Sequence, residues 1–277
     1  MSGLVARCSR LAIALRVLGM LLTLTFVPLT TLPQPGVAAA PVPPASRASA
    51  PAPAALRTPE DLGLPVAGRL QISAGWDHSC VVLADGTARC WGANGAGQLG
   101  DSTTTSSSSP VVVGGATPLT DIVALSAGGS HSCALVADGT ARCWGNNGDG
   151  QLGDGTTTDS ASPVVVGGVT PLTDIVALSV GYAHSCALLV DGTARCWGRN
   201  DYGQLGNGTT TDSASPVVVG GATPLTDIVA LSAGGEHSCA LLVDGTARCW
   251  GANGSGQLGN GTRMSSPSPV VVGGRRR

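Results

Sequence analysis

The sequence predicts an all-β chain built from four copies of one small antiparallel sheet. Three observations predict it. Cys80, Cys133, Cys186 and Cys239 recur at intervals of 53 residues, and so do Cys90, Cys143, Cys196 and Cys249. Each copy holds four short β-type runs bounded by Gly, Pro or Asp: in the third copy these are residues 175–179, 185–189, 193–197 and 216–219. With 41 glycines and only 3% aromatic residues, the composition suits short strands joined by tight turns and not a bulky helical core. A four-stranded meander repeated about every 50 residues reads as a propeller blade. One such sheet cannot bury both faces alone, so neighbours must stack.

The amino-terminal part has a different character. Residues 1–16 carry Arg7, Arg10 and Arg16 and no acid; an apolar run follows over residues 17–27, Pro28 ends it, and small residues occupy 36–40. That is the layout of a secretory signal over residues 1–39, cut after Ala38 or Ala39. The alternative is a retained anchor, for which the apolar run is short against a span of about 20 residues. Residues 40–68 are mostly Pro, Ala and Ser, too poor in apolar groups to repay ordering, and are expected to be an extended spacer. The repeats then occupy about 69–121, 122–174, 175–227 and 228–277.

Every basic residue is an arginine, and without the leader twelve stand against 17 carboxylates. A mildly acidic body argues against nucleic acid, which is bound through clustered positive charge. The terminal Arg275-Arg276-Arg277 is the one basic run and reads as a solvated tail.

The pattern Gly-x-x-His-Ser-Cys-Ala-Leu, Asp-Gly-Thr-Ala-Arg-Cys-Trp-Gly, Asn-x-x-Gly-Gln-Leu-Gly, recurring from Leu70 to about Gly274, resembles the regulator of chromosome condensation repeat family, in the form of a secreted bacterial-type member. The resemblance implies a seven-bladed propeller. Four units are present here, so the expected fold class is all-β, a β-propeller-type array of four four-stranded antiparallel blades forming an incomplete or open ring, which a homodimer would complete. Kelch-type blades, suggested by the Val-Gly-Gly ends, and WD-type blades are the alternative folds.

Cys8 leaves with the leader, and eight cysteines remain as four Cys-x9-Cys pairs. A three-residue hairpin loop, Ala84-Asp85-Gly86, with Gly86 in the left-handed region makes the pairing symmetric about Asp85, so Cys80 faces Cys90. Opposed residues in antiparallel strands lie at disulfide distance. The expected bridges are Cys80–Cys90, Cys133–Cys143, Cys186–Cys196 and Cys239–Cys249, formed in the compartment that a secretory leader reaches.

His78, His131, His184 and His237 each precede Ser-Cys, a string that invites a base-and-nucleophile reading. It recurs in every copy, however, and its cysteine is assigned to a bridge; the histidines are expected to make structural hydrogen bonds at turns. Trp91, Trp144, Trp197 and Trp250 are expected between blades, and Arg89, Arg142, Arg195 and Arg248 to pair with nearby aspartates. Asn146 to Gly150 hints at a calcium loop, but Gly145 occupies the first ligand position. Asn207, Asn253 and Asn260 lie in glycosylation sequons. The chain is expected to have no catalytic residue, metal or cofactor.

The copies differ chiefly at residues 76–77, 129–130, 182–183 and 235–236, and at 93–96, 146–149, 199–202 and 252–255. In a meander ordered with the Pro-Val-Val-Val run first, both sets emerge at one end of the blades. Variety over a uniform scaffold is how loop-built binding surfaces look. The candidate face comprises Trp76, Asp77, Tyr182, Arg199, Tyr202 and Glu236. These observations make the chain an extracellular, secreted or cell-surface, non-catalytic protein-binding module with an unidentified protein partner, and with no membrane contact once the leader is cut. The alternatives are a structural or surface-display repeat protein and an inhibitor of a secreted enzyme. The resembled family includes a nuclear exchange factor for a small GTPase and a secreted inhibitor of β-lactamase.

Overall fold

The structure, a computed structural model, describes residues 71–273. The expected leader (1–39), spacer (40–68), the first residues of the opening repeat and the terminal arginines lie outside the described residues.

The described residues form sixteen strands and no helix. Blade 1 comprises β1 (Gln71–Ala74), β2 (His78–Val82), β3 (Ala88–Gly92) and β4 (Ser107–Val112). Blade 2 comprises β5 (Ile122–Ala127), β6 (His131–Val136), β7 (Ala141–Gly145) and β8 (Ser160–Val165). Blade 3 holds β9 (Ile175–Val180), β10 (His184–Leu189), β11 (Ala194–Gly198) and β12 (Ser213–Val218). Blade 4 holds β13 (Ile228–Ala233), β14 (His237–Leu242), β15 (Ala247–Gly251) and β16 (Ser266–Val271). Each blade is one antiparallel sheet in chain order.

That order corrects one expectation. The Pro-Val-Val-Val run is the last strand of its blade and pairs with the strand carrying the second cysteine, as Cys90 with Val111. It does not precede the Ile-Val-Ala-Leu strand within one sheet. Either order is an antiparallel meander with the same turns, so local patterning did not separate them. Chain contacts do: Val113 N–H donates to Ala88 O, and Leu119 N–H returns to Val113 O before the chain leaves for the next blade. Strand direction alternates in both orders, so the two variable sets still emerge at one end.

The hairpin after β2 forms because Asp85 accepts from Thr87 N–H at 2.9 Å and Thr87 Oγ1 at 2.7 Å, while Gly86 takes φ 77°. Those bonds hold the Asp85 carboxyl below its usual range. The resulting register places Cys80 opposite Cys90. A disulfide joins them at a Cα separation of 4.1 Å, and the Cys133–Cys143, Cys186–Cys196 and Cys239–Cys249 bridges repeat the arrangement.

The core lies between blades. One apolar cluster joins Cys80, Leu99 and Val113 of blade 1 to Leu125, Ala134 and Trp144 of blade 2. Equivalent clusters join blades 2 and 3 and blades 3 and 4. Trp144, Trp197 and Trp250 are fully buried there. Each indole N–H donates across the joint to the carbonyl of Gln98, Gln151 or Gln204, at 2.8–2.9 Å. The four blades form an open array, not a closed ring: the outward faces of blades 1 and 4 expose Ile72 and Leu241.

Candidate functional site

The turns joining the first and second strands of each blade meet at one end of the array. Trp76 N–H donates to Gly128 O at 3.1 Å, Gly129 N–H to Tyr182 O at 3.2 Å, and Tyr182 N–H to Gly234 O at 3.2 Å. These bonds tie the turns of consecutive blades together and leave the side chains at their tips free to project. An opening is lined by those turns. At its mouth the Trp76 ring from blade 1 meets the Tyr182 ring from blade 3 edge-on, with centroids 4.9 Å apart. Both remain exposed, at 68% and 43%.

Beside the turns, a long loop leaves the third strand of each blade. A buried asparagine shapes it. The Asn200 side-chain oxygen accepts from Leu205 N–H at 2.9 Å, and its amide donates to Thr209 O and Thr211 O. Asn94, Asn147 and Asn253 do the same in their own blades. Gln204 Oε1 fixes the next turn by accepting from Tyr202 N–H at 3.0 Å. The loop is thus held from inside while its outward residues vary. On it Arg199 meets Asp201 at 2.6 Å and reaches Glu236 of the next blade at 3.9 Å. The Asp201 bond holds the guanidinium further up than usual. Asp149 is shifted the other way, upward, by burial and then by Asp212.

Of the expected face, the structure brings together Trp76 with Tyr182 and Arg199 with Glu236. Tyr202 stands exposed on the blade 3 loop. Asp77 is exposed, and its carbonyl accepts from Ala93 N–H at 2.8 Å, tying turn to loop. The sequence reading missed the asparagine and glutamine that set the loop shape, although both recur once per copy and their period was available as a signal. It could not have found the contact between Trp76 and Tyr182, which are two blades apart.

Two side-chain roles differ from expectation. Three of the four histidines bond across blades and not at turns: His78 Nε2 lies 2.8 Å from Ser132 Oγ, His131 Nε2 lies 2.9 Å from Ser185 Oγ, and His184 Nε2 lies 2.8 Å from Ser238 Oγ. They begin strands, and the hydroxyl opposite belongs to the next blade. Burial pushes His78 and His184 down to about 4 and His131 to about 3. A neutral imidazole sealed from solvent cannot act as a base on an outside substrate. The strand arginines also differ: Arg89 and Arg142 donate to Thr87, Thr140 and adjoining carbonyls instead of a carboxylate. The Asp85 and Asp138 carboxylates are already taken by the same threonines.

A family model described as an RCC1-like domain matches residues 50–277. The human E3 ubiquitin-protein ligase HERC2 is 31% identical over 201 residues, covering 71% of this chain and 4% of that protein. Among solved structures, human WBSCR16 superposes with a TM-score of 0.64 at 27% identity, over 74% of this chain and 53% of the other. Yeast RCC1 (Prp20) bound to Kap60 superposes with a TM-score of 0.60 at 23% identity, over 73% and 48%. The chain therefore spans a small fraction of that ligase and about half of each solved relative.

Proposed function

The chain belongs to the RCC1-like domain family, and from that premise we propose that it is a non-catalytic protein-binding module that acts outside the cell through the end where its variable turns and loops emerge. The observation that carries the reading is the exposed Trp76–Tyr182 pair, set at the mouth of the opening by backbone bonds between blades. Aromatic groups held rigid at low entropic cost are favoured anchors of protein interfaces. The Arg199–Glu236 pair supplies a polar rim beside them. Variation between copies is concentrated on this end, whereas the residues beneath it repeat. Yeast RCC1 was solved with the protein Kap60 bound, which is consistent with a recognition role for the fold. The extracellular setting is supported by the leader-like residues 1–39 and by four disulfides. No helix of the described residues is long and apolar enough to cross a membrane.

The test compares the wild-type chain with the triple variant Trp76→Ala, Tyr182→Ala, Tyr202→Ala as bait for surface and secreted proteins of the source cell. The three side chains are exposed, so the variant keeps its melting temperature. The reading expects partners recovered by the wild type to be lost by the variant. Equal recovery of every partner overturns it.

A further inference from the structure

The three joints between blades use one set of groups, and the described residues leave half of that set open at each end of the array. In every joint the earlier blade presents a histidine Nε2, a glutamine carbonyl and a serine Oγ. The later blade answers with a serine Oγ, a tryptophan N–H and a backbone N–H. Between blades 3 and 4 these are His184 to Ser238 Oγ, Trp250 N–H to Gln204 O at 2.8 Å, and Ala233 N–H to Ser179 Oγ at 2.8 Å. A glycine completes the fit: a Cβ on Gly206 would lie 2.7 Å from Trp250 Nε1, so the indole rests on bare backbone.

The outward face of blade 4 carries the presenting half with nothing against it among the described residues. His237, Gln257 and Ser232 hold the same positions as His184, Gln204 and Ser179. Gly259, the counterpart of Gly206, has only Val272 of its own blade nearby. Leu241 is 44% exposed where its counterpart Leu188 is 5% exposed. The outward face of blade 1 carries the answering half: Ser79, Trp91 and the Ala74 N–H. Trp91 is half-buried where Trp144, Trp197 and Trp250 are sealed, and Ile72 is 70% exposed where Leu125 is 3%.

We infer that the two outer faces are matching halves of one interface, and that the blade 1 face of one copy docks on the blade 4 face of a second copy. The joint would repeat the three internal ones bond for bond: His237 with Ser79, Gln257 O with Trp91 N–H, Ser232 Oγ with the Ala74 N–H, and Gly259 under the indole. It is head-to-tail and so leaves one unused face on each member of a pair; rings or chains follow according to the angle between copies. Val81 stands where the internal joints have Ala134, Ala187 and Ala240, all sealed. Its two additional methyl groups crowd the copy-to-copy joint, which makes it weaker than the internal joints and reversible. This surface is separate from the turn-and-loop end and stands whether or not that end binds a partner.

The experiment is sedimentation equilibrium on the disulfide-bonded chain and on two single variants, Ser79→Arg and Leu241→Arg. Each variant blocks one outer face and leaves the other intact. The wild type is expected to associate with rising concentration, and each variant alone to remain monomeric. Mixed together, the variants are expected to form a one-to-one dimer that grows no further, because one intact face of each kind remains; that recovery also shows that both variants are folded. A wild type that stays monomeric throughout overturns the inference. So does association that either variant leaves unchanged, or a mixture of the two that stays monomeric.

Discussion

His131 Nε2 lies 2.9 Å from Ser185 Oγ, a hydroxyl 54 residues further along the chain and one blade away. Ser185 in turn donates to Gln151 O at 3.0 Å, so its proton is spent and the histidine must supply the other. That places the proton on Nε2 and leaves Nδ1 bare, without a hydrogen-bond partner. The residue most suggestive of catalysis is a rivet between blades.

Ser185→Ala strands the His131 N–H in a sealed joint and should cost about 1–3 kcal/mol in urea unfolding. Combined with His131→Ala in a double-mutant cycle, the pair should couple by more than about 0.5 kcal/mol. His237, which has no serine opposite it among the described residues, should tolerate alanine better than His131 does. Strict additivity at positions 131 and 185 would remove the rivet.

Acid should loosen the joints. In the unfolded chain a histidine titrates near 6.5, but His78 and His184 fold with values of about 4 and His131 with about 3. Between about pH 6.5 and 4 the unfolded state therefore binds up to three protons that the folded state refuses. Stability is full above that window and falls as the pH falls through it, by about 4 kcal/mol per pH unit at the steepest. Thermal melts at pH 7, 5.5 and 4.5 measure this, and a triple His→Gln variant at positions 78, 131 and 184 should flatten the profile.

Gly153 has φ +71°, and a Cβ there would meet Trp197 Nε1 at 2.6 Å. Gly153→Ala thus combines a strained backbone with a collision against a sealed ring, and should destabilise the chain by about 2–3 kcal/mol. Gly254 has open space around it; Gly254→Ala should leave the melting temperature nearly unchanged.

Each disulfide closes a loop short enough that its removal should cost about 3 kcal/mol by chain entropy. Cys186→Ala with Cys196→Ala should show that loss in urea unfolding. The sulfurs of the first three bridges are buried, whereas Cys239 is only partly covered. Under limiting dithiothreitol, mass spectrometry should find the Cys239–Cys249 bridge opened first. Reduction of all four at one rate would count against that ordering.

The repeat, the β class and the facing cysteines were legible because each is a local matter. A period of 53 residues, alternation within a strand and an Asp-Gly turn act over a dozen residues, and the register Cys80 to Cys90 follows from them. The end of the blades from which Trp76 and Arg199 project was also legible, since it depends only on strands reversing at every turn. Strand order within the blade was not, because two meanders satisfy the same local chemistry; nor were the true partners of Arg89 and His78.

By itself, then, the chain specified what one blade is: which residues turn, which alternate, and which two sulfurs meet. Only the stacking of blades decided what the conspicuous residues do. It turned His78, His131 and His184 inward onto a hydroxyl of the next blade, laid the indoles of Trp144, Trp197 and Trp250 on glycines, and brought Trp76 against Tyr182 across the opening. The physical reason is distance along the chain. Turn and strand preferences act between near neighbours, whereas these contacts join residues 44 to 106 positions apart, and they exist only once neighbouring sheets exclude water from between them.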